Sequence, residues 1–309
     1  MFDNGYVSAP IYSPSRAGLI AAAHQQRWGA RWFDTSAFPP AGRPVMPEIL
    51  QETGDRTGYF GKVHYGTERP GDRACPECHG FESSLYGLVG LAMGRLHYFT
   101  HTRAAVEEYG QATGRREHTL VVYLTDNGGS TCNYGDNTPL HGTKYSLFEG
   151  GVRVPLVVSW PGTVPADTRS QALVSALDLL PTFAAAAGAA LPGGPVIDGK
   201  ELRPVWEAAD TAGADGGHAV LHFDTGFQWA VRTRRWKLRW VGDTAHRHHL
   251  RETEHTDIGL GLSLVPIGQS PDESPAADVK DQHPEVVQEL LALREQWRGS
   301  ILRADAAPR

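Results

Sequence analysis

The stretch TLVVYLTDNGGSTCNYGDNTPLHGTKYSLFEGGVRVPLVVSWPG, residues 119–162, decides the fold of this chain. It opens on an apolar run, Leu120 to Leu124, which is too short for a helix and lacks polar alternation. Such a run predicts a strand that is buried on both faces. A second run of this kind, Val154 to Trp160, follows the pair Gly150 and Gly151. We therefore expect an α/β protein with a central sheet.

Polar side chains at the end of the first strand indicate a site. Asp126 and Asn127 follow the strand directly, and Lys144 comes later in a turn flanked by Gly and Thr. Open α/β sheets bind ligands at the carboxyl ends of their strands, and carboxylate and amide oxygens suit calcium or magnesium. The pattern predicts a site for an anionic ester, although Asp-Asn-Gly alone is also typical of a simple turn.

Length, composition and charge exclude several classes of protein. With 309 residues and 40% hydrophobic residues, the chain can form one large domain, with a small second one possible. No apolar run is long enough to span a membrane, so no membrane partner is expected. The net charge of −6 argues against nucleic acid as a partner. No secretory leader is visible in the sequence as written, so we expect a cytoplasmic location.

Two local patterns have simpler explanations than a binding site. The basic stretch Arg232 to Trp240 alternates like a half-exposed strand, which predicts a solvated strand face. Cys75 and Cys78 have zinc-knuckle spacing, but no second pair of this kind exists, and Cys132 stands alone. We expect reduced thiols in loops rather than a zinc site.

The N-terminal segment MFDNGYVSAPIYSPSR is expected to contain no strand. Pro14 is expected to keep Tyr12 and Ser13 out of a helix, and Ser15 is a suitable N-cap for a helix from Arg16 to Gln26. An arginine in the first turn of a helix, beside unpaired backbone N–H groups, can cradle an anion.

The remaining segments give further elements. A helix is predicted over Met46 to Thr53, and a strand over Thr57 to Val63 places Lys62 and His64 on the same side of the extended chain. A short helix is predicted over Arg103 to Ala112.

Beyond residue 162 a capping box at Ser175 to Asp178 starts a helix that ends at Gly188. Antiparallel strands are predicted over Ala219 to Asp224, Gln228 to Thr233 and Lys237 to Val241. A loop is predicted over Arg251 to Ala277, and a closing amphipathic helix over Pro284 to Trp297.

Five segments in order resemble one family: PIYSPSRAGLI, TGYFGKVHYG, HGFESSLYG, TLVVYLTDNGG and GTKYSLFEGGVRVPLVVSWPG. They are similar to the sulfatases of the alkaline-phosphatase-like superfamily, in particular to arylsulfatase-type hydrolases. The resemblance implies a central mixed, largely parallel sheet flanked by helices, with a small C-terminal antiparallel subdomain. We expect a truncated catalytic domain over residues 1–192 and the C-terminal subdomain over residues 193–309.

The resemblance also implies residue roles. A small sulfate ester would be the ligand, and the residues matching the family's catalytic positions are Arg16, Lys62, His64 and Lys144. Asp126 and Asn127 match the family's calcium ligands, so calcium is the expected cofactor. Pro14, Ser15 and Arg16 match the end of the Cys-x-Pro-Ser-Arg motif, in which the cysteine becomes formylglycine.

The chain departs from the family at three points. Tyr12 stands at the position of the nucleophile cysteine, and a phenol cannot become formylglycine. The family's first metal-binding strand with paired aspartates is not recognised, so we expect weak calcium binding. The family also has a further active-site histidine in a His-x-Pro setting, within a long insertion between the positions of Gly87 and Thr119; this chain is short there, and His101 is not expected to replace that histidine. Three hypotheses follow: an impaired sulfuric ester hydrolase, a non-catalytic anion-binding remnant, or a phosphate or phosphonate ester hydrolase.

Overall fold

The computed structural model describes residues 1–33, 35, 37–65, 71–87, 112–131, 134–208, 216–242 and 259–304. The described strands, in chain order, are β1 Phe2–Tyr6, β2 Gly58–Lys62, β3 Ser83–Gly87, β4 Val121–Leu124, β5 Leu156–Ser159, β6 Ser170–Ser175, β7 Val220–Asp224, β8 Gln228–Thr233, β9 Lys237–Val241 and β10 Gly261–Val265. The described α-helices are α1 Tyr12–Ala21, α2 Met46–Gln51, α3 Glu149–Val152, α4 Leu179–Ala187, α5 Arg203–Glu207 and α6 Pro284–Ala304. His101 and residues 103–111 of the helix predicted over residues 103–112 lie outside the described residues.

A mixed four-stranded sheet in the order β4-β5-β1-β6 carries the site, as expected for an α/β fold. β1 is parallel to β6 and antiparallel to β5, and β4 is antiparallel to β5. Of the three described pairings in this sheet, one is parallel, whereas a largely parallel sheet was expected. β2 and β3 form a separate parallel pair.

The strand β1 corrects the expectation that no strand precedes the first helix. Its polar sequence, FDNGY, has no strand signature. It forms because both of its edges are paired, with Phe2 opposite Leu156 on one side and Ser170 on the other. Hydrogen bonds from tertiary neighbours here override weak local propensity.

The strand β4 corrects a second expectation, since it is not buried on both faces. β4 lies at the edge of the sheet among the described strands, and Tyr123 is 50% exposed. An apolar run does not show by itself whether a strand is central or at an edge.

Helix α1 begins earlier than expected. It starts at Tyr12 and contains Pro14 in its first turn, whereas Ser15 is no N-cap, because its amide donates to the Ile11 carbonyl at 3.3 Å. Proline is tolerated there, because the first amides of a helix have no partner within it. The helix ends at Ala21, not at Gln26, and Ala22 adopts a left-handed backbone with φ 49°.

The C-terminal part forms an antiparallel sheet in the order β10-β9-β8-β7, which confirms the predicted strands. β10 lies in a region predicted as loop, and helix α6 continues past Trp297 to Ala304. The capping box is confirmed, since the Ser175 amide donates to Asp178 Oδ2 at 2.7 Å. The domain boundary at residue 192 stays a prediction. Among the described helices, none combines the length and apolar character needed to cross a bilayer.

The basic stretch from Arg232 to Trp240 is not a solvated strand face, which corrects that expectation. Arg232, Lys237 and Arg239 are all at most 5% exposed. Lys237 Nζ lies 3.0 Å from a carboxylate oxygen of Glu149 and 3.0 Å from one of Glu273. Buried charges need such partners, and sequence alternation cannot reveal them.

The carboxylate of Glu149 is the centre of this cluster. It is fully buried and accepts from the Tyr6 hydroxyl at 2.5 Å, and Tyr6 in turn accepts from Arg232 Nε at 3.0 Å. Burial opposes its ionisation, but the charges of Lys237 and Arg232 lower the pKa of Glu149 to about 2. The carboxylate is therefore ionised at neutral pH.

We predict that Glu149→Gln destabilises the protein by about 3–5 kcal/mol, because Arg232 and Lys237 lose the buried carboxylate they share and, among the described residues, Lys237 keeps only Glu273 as a counter-charge. Urea denaturation followed by circular dichroism measures the change in the free energy of unfolding. Glu207→Gln is the matched control, since Glu207 forms an exposed i,i+4 pair with Arg203, and its loss should cost about 0.5 kcal/mol or less. Equal costs for the two variants would contradict a stabilising role for the buried cluster.

Candidate anion-binding site

Three separate segments bring basic side chains to one place around Tyr12. The Tyr12 ring stacks on the His64 ring, with centres 4.5 Å apart and planes inclined by 21°. Lys62 Nζ lies 4.1 Å from the centre of the Tyr12 ring, and Lys144 Nζ lies 4.6 Å from it. The structure therefore brings together Tyr12, Lys62, His64 and Lys144, which the sequence had placed far apart.

Arg16 connects this cluster to the end of β4. Its Nε and Nη2 lie 2.7 and 2.5 Å from the same Asp126 oxygen, Oδ2. Its Nη1 donates to the backbone carbonyls of Lys62 at 2.6 Å and Val63 at 3.2 Å. Arg16 lies one helical turn after Tyr12, so both side chains lie on the same face of α1. One guanidinium thus holds three segments of the site in register.

The loops that carry Asp126 and Lys144 are locked together through their backbones. The Gly128 amide donates to the Gly151 carbonyl at 2.9 Å, and the Lys144 amide donates to the Gly129 carbonyl at 3.0 Å. A Cβ at Gly128 would overlap the carbonyl oxygen of Gly150. Glycine is required at this contact because two backbones meet there directly.

Tyr145 anchors the loop that carries Lys144 to the segment before α1. This role was not predicted from the sequence. Its amide donates to the Pro10 carbonyl at 2.8 Å, and its ring centre lies 5.2 Å from Lys144 Nζ. Its backbone is left-handed, with φ 76°. In the sequence, only its position directly after Lys144 indicated that Tyr145 lies near the site.

His64 is neutral at neutral pH. Burial, together with the nearby charges of Lys62, Arg16 and Lys144, lowers the pKa of His64 to about 4. Its backbone is left-handed, with φ 57°, and its buried Nδ1 has no hydrogen-bond partner among the described residues. The imidazole can therefore donate or accept a hydrogen bond, but it adds no positive charge.

Tyr12 stays protonated at neutral pH. Burial raises the pKa of the Tyr12 hydroxyl, and the charge of Arg16 only partly offsets this. A phenol with a raised pKa is a poor nucleophile, because it is the deprotonated oxygen that attacks.

The described residues do not fit a complete calcium site. Asn127 Oδ1 is buried with no partner among them, which suits a cation, but Asp126 Oδ2 already carries two contacts from Arg16. Calcium takes about six to eight oxygen ligands. Within the described part of the chain, no three His, Cys, Asp or Glu side chains are grouped so that they could hold a metal ion.

Asp136 and Asn137 do not supply the missing ligands. Asn137 bonds to the Gly129 amide and carbonyl and to the Gly142 carbonyl, at 2.8–3.2 Å. An Asp136 oxygen accepts from the Thr138 amide at 2.9 Å. Both side chains therefore stabilise their own loop.

Cys75 and Cys78 are both thiols, the first buried and the second exposed. Cys132 lies outside the described residues.

We predict that Gly128→Ala costs about 3 kcal/mol of stability, because its methyl group cannot be accommodated without moving the backbone of Gly150. Chemical denaturation measures the cost. Gly299→Ala is the matched control, since nothing lies within 4 Å of a Cβ placed there, and an alanine in that helix should stabilise by up to about 1 kcal/mol. A neutral Gly128→Ala would show that the two loops are not in close contact.

Comparison with known proteins finds similarity to sulfatases. Residues 107–189 match the family model named Sulfatase. A protein named Sulfatase from Formosa agariphila is 36% identical over 116 residues, which cover 37% of this chain and 21% of that protein. Arylsulfatase G of Mus musculus is 41% identical over 103 residues, which cover 29% of this chain and 20% of that protein. The matched part thus spans about a fifth of these curated relatives.

Solved structures share the fold at low sequence identity. A crystal structure named Ps i-CgsB matches with a TM-score of 0.74 at 20% identity, covering 100% of this chain and 90% of that one. BT4656, solved in complex with its substrate D-glucosamine-2-N,6-O-disulfate, gives 0.69 at 14% identity, covering 99% and 92%. The phosphonate monoester hydrolase of Agrobacterium radiobacter gives 0.63 at 13% identity, covering 96% and 88%. The family-model match over residues 107–189, the sequence relatives and the shared mixed α/β fold together support the sulfatase family as the family of this chain.

Proposed function

We propose that the cluster around Tyr12 binds a small sulfate ester, and that this chain is an arylsulfatase-type sulfuric ester hydrolase whose chemical step is impaired. The observation that supports this is the convergence of Lys62 and Lys144, with His64 beside them, on one point of the site.

Charge favours an anion at this point. The ammonium groups of Lys62 and Lys144 both lie within 5 Å of the Tyr12 ring centre, and Arg16, which pairs with Asp126, lies one helical turn from Tyr12. Both lysines are partly buried, and two partly desolvated cations attract an anion more strongly than the same charges in water. The disulfated sugar bound by the structural neighbour BT4656 supports a sulfate ester as the ligand class.

The chemistry available to such an ester is limited. Lys144 and the neutral His64 could stabilise charge on the leaving oxygen by donating hydrogen bonds. No group derived from Tyr12 can attack the sulfur, since its hydroxyl stays protonated. Any hydrolysis would depend on direct attack by a water molecule, with no side-chain nucleophile in position. We expect such hydrolysis to be slow.

Calcium is proposed as a weak ligand only. Asp126 and the unpartnered Oδ1 of Asn127 are the residues that would hold it. A bound cation would supply additional positive charge for the ester, but Arg16 competes for Asp126.

We predict that the protein binds inorganic sulfate measurably in isothermal titration calorimetry, and that Lys62→Met and Lys144→Met each weaken this binding about tenfold. Lys280→Met is the matched control, since Lys280 pairs with Asp278 away from these residues.

Hydrolysis of 4-nitrophenyl sulfate is measured in parallel, with calcium and with a chelator. Turnover that is fast, abolished by Lys144→Met and dependent on calcium would overturn the proposed impairment. Sulfate binding that ignores both lysine substitutions would overturn the site.

A phosphonate or phosphate ester is the second candidate, because a phosphonate monoester hydrolase shares the fold and two ammonium groups also suit the dianion of a phosphate monoester. Phenylphosphonate, which resembles such esters, serves as the competing ligand in the same titration. Affinity for phenylphosphonate more than about tenfold above that for phenyl sulfate would favour this alternative.

We predict that sulfate affinity rises as the pH falls from about 6.5 towards about 4. The pKa of His64 is about 4 in the protein without ligand, and a bound anion should raise it, because it favours the imidazolium form. Binding then takes up a proton, so affinity increases on acidification by at most about tenfold per pH unit. Titrations at several pH values, compared with His64→Gln, check this. An identical pH profile for that variant would show that His64 does not face the anion.

A further inference from the structure

The two ammonium groups of the proposed anion site contact an aromatic ring of this chain. Lys62 Nζ and Lys144 Nζ lie 4.1 and 4.6 Å from the centre of the Tyr12 ring, both inside the range of a cation–π contact. The face of an aromatic ring carries partial negative charge. The ring therefore attracts each ammonium group electrostatically, as a sulfate would, but more weakly.

The ring is held in this position from two sides. His64 stacks on it at 4.5 Å, and Tyr12 packs against a buried apolar cluster that contains Ile11, Trp32 and Phe227. Tyr12 is also the first residue of α1, so its backbone is fixed by the helix start. The Tyr12 side chain is only partly buried.

We propose that the Tyr12 side chain is a built-in competitor for the anion, which covers Lys62 and Lys144 in the protein without ligand and must move aside when a sulfate group binds. This inference rests on the proposed anion-binding function and adds the residue that sets its affinity. Tyr12 therefore limits the site in two ways, by lacking a usable nucleophile and by covering the lysines.

Removal of the ring should strengthen binding. Each cation–π contact at a partly exposed position contributes a modest stabilisation, and two such contacts together correspond to about tenfold in affinity. Tyr12→Ala should therefore bind inorganic sulfate about tenfold more tightly than the native protein. The alanine is compatible with a helix start, and circular dichroism shows whether the variant is folded.

The titration is done by calorimetry at constant ionic strength, with native protein, Tyr12→Ala and the control Tyr134→Ala. Tyr134 is 98% exposed, so its loss removes a tyrosine without opening a pocket. Equal or weaker sulfate binding by a folded Tyr12→Ala would overturn the proposal. If neither the native protein nor Tyr12→Ala binds sulfate, the proposed function itself fails.

A second measurement uses the unaltered protein and does not depend on the stability of the alanine variant. Movement of the ring into water changes the ultraviolet absorption of tyrosine, so addition of sulfate should give a tyrosine difference spectrum. Tyr12→Phe keeps an aromatic ring beside the lysines but lacks this absorption, and it should give no such signal and gain at most about twofold in affinity. The same difference spectrum in Tyr12→Phe, or none in the native protein at saturating sulfate, would show that Tyr12 does not move.

Discussion

The buried carboxylate of Glu149 is the interaction on which the rest of this structure depends. It joins β1, through the Tyr6 hydroxyl, to β9, through Lys237, while its own amide donates to Glu273 at 2.5 Å. A charge without exposure to water is tolerated only when its partners are in place, so the two sheets have one relative arrangement that satisfies all of them. The cluster therefore fixes the position of the segment that begins at Glu149.

That segment positions the site. Gly150 and Gly151 follow Glu149 directly, and the loop at Gly128 packs against their backbone. Asp126 lies two residues before Gly128 in that loop and binds the guanidinium of Arg16. Arg16 lies one turn after Tyr12 on α1. The buried charge of Glu149 is thus connected to the Tyr12 ring through the backbone contacts at Gly128 and the pair of Asp126 with Arg16.

Fold and chemistry are separable in this protein. The chain has the family's mixed α/β fold and brings together the basic residues that its motifs suggest, but a tyrosine stands where the family places its reactive group. Function is carried by the site and not by the fold, so family membership alone does not establish turnover. Because the Tyr12 ring lies within 5 Å of both lysine ammonium groups, this one side chain is central to the proposed chemistry and to the proposed access of an anion.

Local sequence was sufficient for those features whose causes are local. Ordered motifs identified the family and the residues that meet in the site, the Ser175 to Asp178 box identified the start of a helix, and alternation identified β8 and β9. Tertiary structure alone decided that a polar segment becomes the strand β1 and that Lys237 is buried. The physical reason is the distance along the chain: the partner of Lys237 is 88 residues away and that of Tyr6 is 226 residues away. Periodicity and capping depend on neighbours within a few residues, whereas a buried strand or charge is stabilised by partners that only the folded chain brings near.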